Sequence, residues 1–240
     1  MDELLVIGIG AGNPADITVG AVEALARADV IFTLDRATTD LTRARDALVE
    51  RYAPNARNVV VEEPRRDRAA SAYAEAVHDW RAGRAATWQK AIDAHDGVGA
   101  FLVWGDPMLY DSTIAVLDQI GAEYTVIPGI SSITALCAAH KIALNRVAGE
   151  VLITTGRRLR EGGWPAGQTE LAVMLDGKGA YRNVIDEPLE IYWGAYVGAE
   201  EQLLLSGRLS EVADRIDATI AEARERHGWI MDVYLLRATE

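Results

Sequence analysis

The sequence has few of the residues from which disulfides, metal sites and membrane spans are built. Cys137 is the single cysteine, so no intramolecular disulfide forms, and its apolar helical surroundings favour a buried small residue over a nucleophile. The four histidines lie far apart without cysteine partners, and we therefore predict no metal site. No apolar run approaches the ~20 residues of a membrane span, and the first residues lack a signal-peptide pattern. These absences predict a cytoplasmic protein without a membrane partner.

Basic residues are also scarce relative to acidic ones. The chain has 24 lysines and arginines against 36 aspartates and glutamates, and its net charge is −12. An excess of negative charge repels polyanions at long range, which argues against a nucleic-acid partner. An anionic small molecule would therefore need a local cluster of arginines on this protein.

The first part of the chain alternates between apolar runs and helical patterns. Strands are predicted at residues 4–7, 30–34, 59–61, 100–104 and 124–127. Helices are predicted at residues 17–29, 68–94 (with a possible turn at Gly83), 112–120 and 131–140. A strand, a helix and then another strand in this order predict a mostly parallel α/β sheet with right-handed crossovers.

After residue 146 the pattern changes. Strands are predicted at residues 151–155, 171–175, 190–197, 202–205 and 229–236, with one helix at residues 210–226. Several strands now follow one another directly, which indicates a mixed or antiparallel sheet. We therefore expect an N-terminal α/β domain with glycine-rich loops, residues 1–146, and a C-terminal mixed α/β domain, residues 147–240.

A glycine-rich loop directly follows the first strand. Gly8, Gly10 and Gly12 allow positive φ and close approach of a ligand, and the helix that begins just beyond offers unpaired N–H groups. Asp35 lies about 20 residues further on, where dinucleotide-binding folds place an acid that binds ribose. Asn13 occupies the position of the third glycine of G-x-G-x-x-G, so the match is incomplete. Dinucleotide binding and a simple tight turn both stay open.

Two further loops follow predicted strands. The first, residues 104–113, contains Asp106 before a proline, and such a rigid turn can present a carboxylate to a ligand hydroxyl or ammonium. Asp111 or Ser112 in the same loop can instead cap the next helix. The second loop has the sequence IPGISS at residues 127–132. Because α/β folds bind ligands where loops at the carboxyl ends of strands converge, we predict a ligand site at these loops.

The three loops together resemble those of the tetrapyrrole methylases, which have a glycine-rich loop, a GDP loop and a PGISS-like loop in this order. The resemblance spans nearly the whole chain through the blocks GDPMLYDST, AAHKIALNR, TTGRRL, VMLDGKGAY, IYWGAYVG and GWIMDVYLLR. One departure is Asn13, where many relatives have aspartate. These methylases use no nicotinamide, so the resemblance disfavours the dinucleotide interpretation.

The resemblance implies a two-domain tetrapyrrole-methylase fold with a ligand cleft between a mostly parallel N-terminal sheet and a mixed C-terminal sheet. It also implies a homodimer and S-adenosylmethionine as the methyl donor, held largely by main-chain groups. The implied donor-binding residues are Trp104, Gly105, Asp106, Leu109, Ser131, Ser132, Met174, Leu175, Ala195, Tyr196 and Val197. The alternative for Met174, Leu175 and Tyr196 is a place in the apolar core.

The blocks resemble most closely the members that convert precorrin-5 to precorrin-6A in cobalamin biosynthesis, methylating carbon 1 and releasing acetate. Removal of the acetyl group needs proton transfer, and the resemblance implies Asp106, Tyr110 and Asp111 as catalytic residues. Further candidates by motif position are His140, Asp176 and Asp232. The alternatives are another tetrapyrrole methylase, or a nucleotide or tetrapyrrole binding protein without turnover.

The implied substrate is a tetrapyrrole that bears many carboxylates, which arginine forks bind well. Arg157 and Arg158 in the TTGRRL block are the predicted substrate-binding residues, together with Gly10 of the first loop. Further cationic candidates are Arg160, Arg36, Lys178 and Arg182. The alternative is a solvated charged loop.

Overall fold

The computed structural model describes residues 1–34, 40–62, 64 and 73–239. The chain divides into two compact units, an N-terminal unit formed by Met1–Gly10 with Pro14–Ile130 and a C-terminal unit formed by Ala11–Asn13 with Ser131–Glu240. The domain boundary after residue 146 stays a prediction of the sequence. Asp35 and Arg36 lie outside the described residues.

The N-terminal unit contains a parallel sheet, as predicted. Its strands are β1 (Glu3–Gly8), β2 (Val30–Leu34), β3 (Arg57–Val61), β4 (Val98–Val103) and β5 (Thr125–Ile127). Their order is β3-β2-β4-β1-β5, and every neighbouring pair is parallel. In β1, Leu4 and Val6 join one apolar cluster while Leu5 and Ile7 join another. This alternation buries the strand on both faces, which explains its uninterrupted apolar sequence.

The described residues of this unit form four α-helices, α1 (Val19–Arg27), α2 (Asp40–Tyr52), α3 (Tyr73–Asp93) and α4 (Thr113–Ile120), and a short 3-10 helix at Pro14–Asp16. Helix α1 begins at Thr18, whose side-chain oxygen accepts a hydrogen bond from the Ala21 amide. Helix α2 was not predicted, and in its sequence DLTRARDALVERY the apolar residues are interspersed with charged ones. Helix α3 continues through Gly83, so the possible turn is not formed. A Cβ at Gly83 would lie 3.2 Å from Pro64, which explains the small residue.

The C-terminal unit contains a mixed sheet, also as predicted. Its strands are β6 (Leu152–Thr155), β7 (Glu170–Met174), β8 (Leu189–Ala195), β9 (Leu203–Arg208) and β10 (Asp232–Ala238). Their order is β6-β7-β10-β8-β9, with β6 and β7 parallel and the other pairs antiparallel. Because β10 lies between β7 and β8, its first residues are neighbours of the last residues of both strands.

Three α-helices flank this sheet, α5 (Ser132–His140), α6 (Gly156–Gly162) and α7 (Leu209–His227), together with a 3-10 helix at Ala180–Val184. Helix α7 buries an apolar stripe that includes Leu209, Val212 and Ile216 in the same cluster as the sheet residues Trp193 and Tyr234. Helix α5 packs on β8 and β10. Helix α6 was not predicted, since the glycine-rich sequence that closes it indicated a loop.

Candidate functional site

The carboxyl ends of β1, β4 and β5 lie side by side in the N-terminal unit. Gly8 pairs with Val103 of β4, and Ile7 pairs with Ile127 of β5. We call this place the N-terminal sheet edge. Three loops leave it: the first glycine loop (residues 9–13), the β4–α4 loop (residues 104–112) and the β5–α5 loop (residues 128–131). The chain runs from β1 to β2 toward one side of the sheet and from β4 to β5 toward the other, and open α/β sheets bind ligands at the carboxyl ends of strands where this direction reverses.

Backbone hydrogen bonds join the first glycine loop to the β4–α4 loop. The Gly105 amide donates to the Gly10 carbonyl at 2.7 Å, and the Gly10 amide donates back to the Gly105 carbonyl at 3.3 Å. Gly10 and Gly105 have φ of 80° and 68°, a conformation that residues with a Cβ rarely adopt. The glycines therefore allow a hydrogen-bonded bridge between the two loops.

The β5–α5 loop lies against the other two so closely that no side chain fits. A Cβ on Gly8 would lie 2.6 Å from the Gly129 amide nitrogen and 2.8 Å from Pro107. A Cβ on Gly129 would overlap the carbonyl oxygen of Gly105. Glycine is thus required at both positions for the backbones to meet, and Gly129 is a residue that the sequence analysis placed in a motif but gave no role.

The Asp106 carboxylate holds two of these loops together. Its Oδ1 accepts a hydrogen bond from the Met108 amide at 2.8 Å, and its Oδ2 accepts one from the Gly129 amide at 3.0 Å. A carboxylate that accepts two backbone N–H bonds is a strong anchor for a loop. This residue was predicted both to bind the methyl donor and to take part in catalysis, and both roles stay predictions.

The rest of the β4–α4 loop presents a tyrosine on its surface. Trp104 and Leu109 are half-buried, while Tyr110 is 46% exposed and has φ of 55°. The exposed Asp111 accepts a hydrogen bond from the Thr113 amide at 2.6 Å through its Oδ1. Ser112 is the N-cap residue of α4, and Asp111, one residue earlier, binds the first helical amide; this structural role was the alternative to catalysis and does not exclude it.

A buried arginine on α3, which was not predicted from the sequence, supports this loop. The Nη1 atom of Arg84 donates to Ser112 Oγ at 2.9 Å. The guanidinium also lies over the rings of Trp80 and Trp88, 4.9 Å and 5.2 Å from their centroids. The spacing of four residues from Trp80 to Arg84 and from Arg84 to Trp88 on one helix is the signal that could have revealed the stack.

Ser131 and Ser132 lie at the start of α5 in the C-terminal unit. Ser131 caps the helix by accepting a hydrogen bond from the Thr134 amide at 3.2 Å, and Ser132 is the first helical residue. His140 lies at the other end of α5, with its Nε2 atom 3.0 Å from the Trp193 carbonyl oxygen and its ring edge-on to Tyr192. Its ring is therefore engaged in packing.

The remaining predicted donor-binding residues come together at one edge of the C-terminal sheet. Met174 at the end of β7 pairs with Val233, and Ala195 at the end of β8 pairs with Asp232. We call this place the C-terminal sheet edge and the adjoining residues 195–197 the β8 segment. The structure thus brings residues 174–175 and the β8 segment to opposite sides of the start of β10.

Two non-glycine residues at this edge have left-handed backbone conformations. Leu175 has φ of 54° and is 65% exposed, and Tyr196 has φ of 49° and is buried. Such conformations cost about 1–3 kcal/mol and concentrate at functional sites. Gly12 also belongs to this unit, and a Cβ on it would lie 3.0 Å from the Ala199 amide nitrogen and 3.2 Å from the Val197 carbonyl oxygen.

Asp176 is a buried hydrogen-bond acceptor just after these residues. Its carboxylate accepts from the Tyr234 hydroxyl at 2.7 Å, from Arg160 Nη2 at 3.1 Å and from the Ala180 amide at 2.5 Å. The Lys178 amide is a further donor, 3.3 Å from Oδ1. Arg160, a candidate for binding substrate, therefore forms an ion pair with Asp176.

The other cationic candidates differ in their surroundings. Arg182 forms ion pairs with Asp214 and Asp217, each at 2.6 Å. Arg157 and Arg158 lie on α6 with exposed side chains, and within the described residues neither guanidinium has a recorded hydrogen bond or ion pair. These two exposed arginines have the freedom to meet an anionic ligand.

A second buried carboxyl lies near Asp176. Asp232 is 8% exposed, and its Oδ2 accepts a hydrogen bond from Trp193 Nε1 at 3.1 Å. Burial raises the pKa of Asp232 to about 7, and the nearby charge of Asp176 also raises it. The Asp232 carboxyl therefore changes its charge near neutral pH.

Two absences hold for the residues that the structure describes. Among them, no three His, Cys, Asp or Glu side chains are grouped so that they could hold a metal ion. No helix within the described ranges is both long enough and apolar enough to cross a membrane.

Comparison with protein families gives one match that covers most of the chain. Residues 3–213 match the family described as Tetrapyrrole (Corrin/Porphyrin) Methylases. The chain is also 46% identical over 250 residues to a protein from Sinorhizobium sp named precorrin-6A synthase [deacetylating], covering 99% of this chain and 95% of that protein.

Two solved structures are similar over nearly the full length. One is a cobalamin synthesis related protein (CobF) from Corynebacterium diphtheriae, with 37% identity, a TM-score of 0.88 and coverage of 100% of both chains. The other is a uroporphyrin-III C-methyl transferase from Thermus thermophilus complexed with S-adenyl homocysteine. It has 19% identity, a TM-score of 0.59 and coverage of 98% of this chain and 97% of that one. At that identity the second likeness shows the fold alone.

Proposed function

The chain belongs to the tetrapyrrole (corrin/porphyrin) methylases, and on that premise we propose that it is an S-adenosylmethionine-dependent C-methyltransferase of cobalamin biosynthesis. In the proposed reaction precorrin-5 is converted to precorrin-6A, with methylation at carbon 1 and release of acetate. The observation that carries the proposal is the 46% identity to a precorrin-6A synthase across 99% of the chain, which includes both units. The likeness to the CobF structure supports the same pathway.

The residues at both sheet edges fit a methyl donor held by backbone groups. Gly10, Gly105 and Gly129 leave no side chains between the loops of the N-terminal edge, and we propose that the donor lies against main-chain groups of these loops. When bound, S-adenosylmethionine supplies a methyl group that its sulfonium has already activated. The proposed donor-binding residues are Trp104, Gly105, Asp106 and Leu109 in the N-terminal unit, and Ser131, Ser132, Met174, Leu175, Ala195, Tyr196 and Val197 in the C-terminal unit.

For methyl transfer the protein mainly has to align the groups that react. Alignment of this kind contributes strongly to rate provided that the bound geometry is rigid. The bond pair between Gly10 and Gly105 and the two bonds accepted by Asp106 supply that rigidity in the loops. The left-handed backbone at Leu175 and Tyr196 similarly fixes the direction of the chain at the C-terminal edge.

Loss of the acetyl group calls for groups that move protons. We propose Tyr110 and Asp111 for this, because both side chains are exposed at the β4–α4 loop. Both carboxylate oxygens of Asp106 are engaged by backbone amides, so its proposed contribution to catalysis is to hold the loop that presents Tyr110.

The proposed substrate carries many carboxylates, and the protein carries a net charge of −12. A local positive patch is therefore required for binding. Arg157 and Arg158 are proposed to supply it, since their guanidinium groups are exposed and Arg160 and Arg182 are already paired with aspartates. Gly10 is the proposed substrate contact of the first glycine loop.

The proposal also covers the setting of the reaction. We infer a cytoplasmic homodimer that acts on a small-molecule tetrapyrrole, as the family resemblance implies. The acidic net charge supports the absence of a nucleic-acid partner.

The proposed function is tested by incubating the purified protein with precorrin-5 and methyl-labelled S-adenosylmethionine. Label in the tetrapyrrole and acetate in equal amounts are expected. Label without acetate would indicate a different tetrapyrrole methylase. Bound donor with neither product would indicate a binding protein without turnover, and would contradict the proposal.

A further inference from the structure

The β8 segment has a conformation that needs support from its neighbours. Tyr196 follows the last residue of β8 with φ of 49°, which is unfavourable for a residue with a side chain. The conformation persists only where surrounding contacts over-determine it. The contacts that do so at Tyr196 come from a short stretch of chain at the start of β10.

Residues 229–232 accept hydrogen bonds from this part of the chain in three places. The Tyr196 amide donates to the Met231 carbonyl at 3.0 Å, and the Tyr196 hydroxyl donates to the Trp229 carbonyl at 2.5 Å. The indole Nε1 of Trp193 donates to Asp232 Oδ2 at 3.1 Å. Of the three bonds, the last is the one made by a side chain of residues 229–232.

The pairing of strands makes this bond important for the segment. Asp232 is the first residue of β10 and pairs with Ala195, the residue before Tyr196. A disturbance at Asp232 therefore acts directly on the end of the ladder from which the β8 segment leaves the sheet. The Tyr196 ring also packs near Trp229, 6.3 Å between centroids, so both ends of residues 229–232 meet this segment.

We propose that Asp232 is a positioning residue for methyl-donor binding, in which its carboxyl anchors residues 229–232 to Trp193 and so holds Tyr196 in its left-handed conformation. The proposal rests on the proposed function, because it takes the β8 segment as part of the donor site. Asp232 acts here through Tyr196 and is assigned no contact with donor or substrate.

The protonation of Asp232 makes the proposal testable. Burial raises the pKa of Asp232 to about 7, and Asp176 raises it as well, whereas the Trp193 bond and Arg224 lower it. The charged or titratable groups around Asp232 and its network are Asp176, Tyr181, Arg182, Tyr196, Glu201, Asp217, Arg224, His227 and Tyr234.

Ionisation of Asp232 would place a second buried negative charge near Asp176, which already forms an ion pair with Arg160. A buried carboxylate with one side-chain donor draws water to itself or moves toward solvent. Either response loosens the end of the ladder between β8 and β10. Donor affinity should therefore fall as the pH rises through about 7.

The experiment measures binding of S-adenosylhomocysteine by calorimetry between pH 6 and 8.5. The wild-type protein is compared with Asp232→Asn, whose amide resembles the neutral acid and keeps an oxygen for Trp193. The exposed Asp186 is replaced in a matched control, Asp186→Asn. Any titration of the ligand itself is common to all three proteins and cancels in the comparison.

We expect wild-type and Asp186→Asn affinities to fall by about fivefold or more across this range, and the Asp232→Asn affinity to change by less than about twofold. A second variant, Tyr196→Phe, removes the bond to Trp229 and should bind more weakly at every pH while keeping the wild-type pH dependence. Thermal unfolding at pH 6 checks that each variant is folded.

The outcomes separate this inference from the proposed function. If the wild-type protein binds S-adenosylhomocysteine but Asp232→Asn shows the wild-type pH dependence, the role of Asp232 is wrong and the proposed function stands. An Asp232→Ala variant, which removes the acceptor for Trp193, that is folded and binds with wild-type affinity at pH 6 leads to the same conclusion. If the folded wild-type protein binds no S-adenosylhomocysteine at any pH, both the inference and the proposed donor are wrong.

Discussion

The two sheet edges hold their loops by different physical means. At the N-terminal edge, glycines let three backbones approach one another, and backbone hydrogen bonds with one carboxylate join them. At the C-terminal edge, two bulky residues have left-handed backbones, and the buried carboxyls of Asp176 and Asp232 join neighbouring elements through side-chain hydrogen bonds. Shape at the first edge depends on the absence of side chains, and shape at the second depends on their presence.

This difference teaches which kind of substitution each edge tolerates. At the N-terminal sheet edge a side chain added to one of the close-packed glycines is destabilising, because the backbones cannot move apart without losing their hydrogen bonds. A side-chain network is broken by removing one acceptor, which leaves several buried donors without a partner. We expect the effects on stability to fall in order from a glycine at the first edge, through the buried carboxyls at the second, to exposed arginines.

Replacing Gly129 with alanine should have the largest effect. The new Cβ would overlap the Gly105 carbonyl oxygen and press on Gly8, so the loops must separate. We expect a loss of more than about 3 kcal/mol in the free energy of unfolding, measured by urea denaturation. The control is Gly162→Ala at the end of α6, where a Cβ would meet nothing within 4 Å. Equal stability of the two variants would contradict the close-packing argument.

Replacing Asp176 with asparagine should rank second. The change removes the negative partner of Arg160 and gives the buried hydrogen-bond network one acceptor fewer. The free energy of unfolding should fall by about 2–4 kcal/mol, as seen by urea denaturation. The exposed Asp186→Asn serves as the control and should stay near wild type. A loss below that of ordinary surface substitutions would mean that the network is not needed.

The ionisation of Asp232 should be visible in the pH dependence of the free energy of unfolding. The pKa of Asp232 in the folded protein is about 7, above the ordinary value of 3.8. Asp232 therefore contributes its full stabilisation of the folded state at pH values below 3.8, where its carboxyl is neutral. That effect is lost as the pH rises through about 7. The wild-type protein should therefore lose about 1–4 kcal/mol relative to Asp232→Asn between pH 4 and 8, at about 1.4 kcal/mol per pKa unit. Parallel stability curves for the two proteins would show that Asp232 does not titrate in this range.

Replacing Arg157 and Arg158 together with alanine should have the smallest effect on stability. Both side chains are exposed on α6, so the free energy of unfolding should change by less than about 0.5 kcal/mol for each. Substrate binding should nevertheless weaken, with KM raised about tenfold or more and kcat less affected. Steady-state kinetics with precorrin-5 measures both constants. An unchanged KM would remove these arginines from the substrate site.

Local patterns in the sequence predicted most strands and helices, and the order of loops predicted the N-terminal edge. Continuous apolar runs placed β1 and β2, since each side of these strands meets an apolar cluster. The same reasoning failed for α2, whose buried Leu48 stands among charged residues, and for α6, whose closing glycines indicated a loop. In both cases contacts with the rest of the unit stabilise a helix that its own sequence marks weakly.

The sequence predicted the motifs of the candidate site, but it did not predict the hydrogen bonds that join them. The GDP and PGISS-like loops are visible in the sequence, but nothing there indicates that Asp106 accepts from the Gly129 amide, 23 positions further along the chain. Arg84 likewise meets Ser112 across 28 positions. Long-range pairs of this kind depend on where the sheet places each strand end, which no local pattern contains.

By itself the sequence determined the alternation of strands and helices, the glycines that permit tight loops, the acidic net charge and the resemblance to a methylase family. Those properties reside in single residues and their spacing. Only the tertiary structure decided which carboxyls are engaged, which arginines are free to meet an anion, and which bulky residues adopt left-handed backbones. The reason is physical: burial, pKa and backbone strain depend on neighbours that are close in space and distant in the chain.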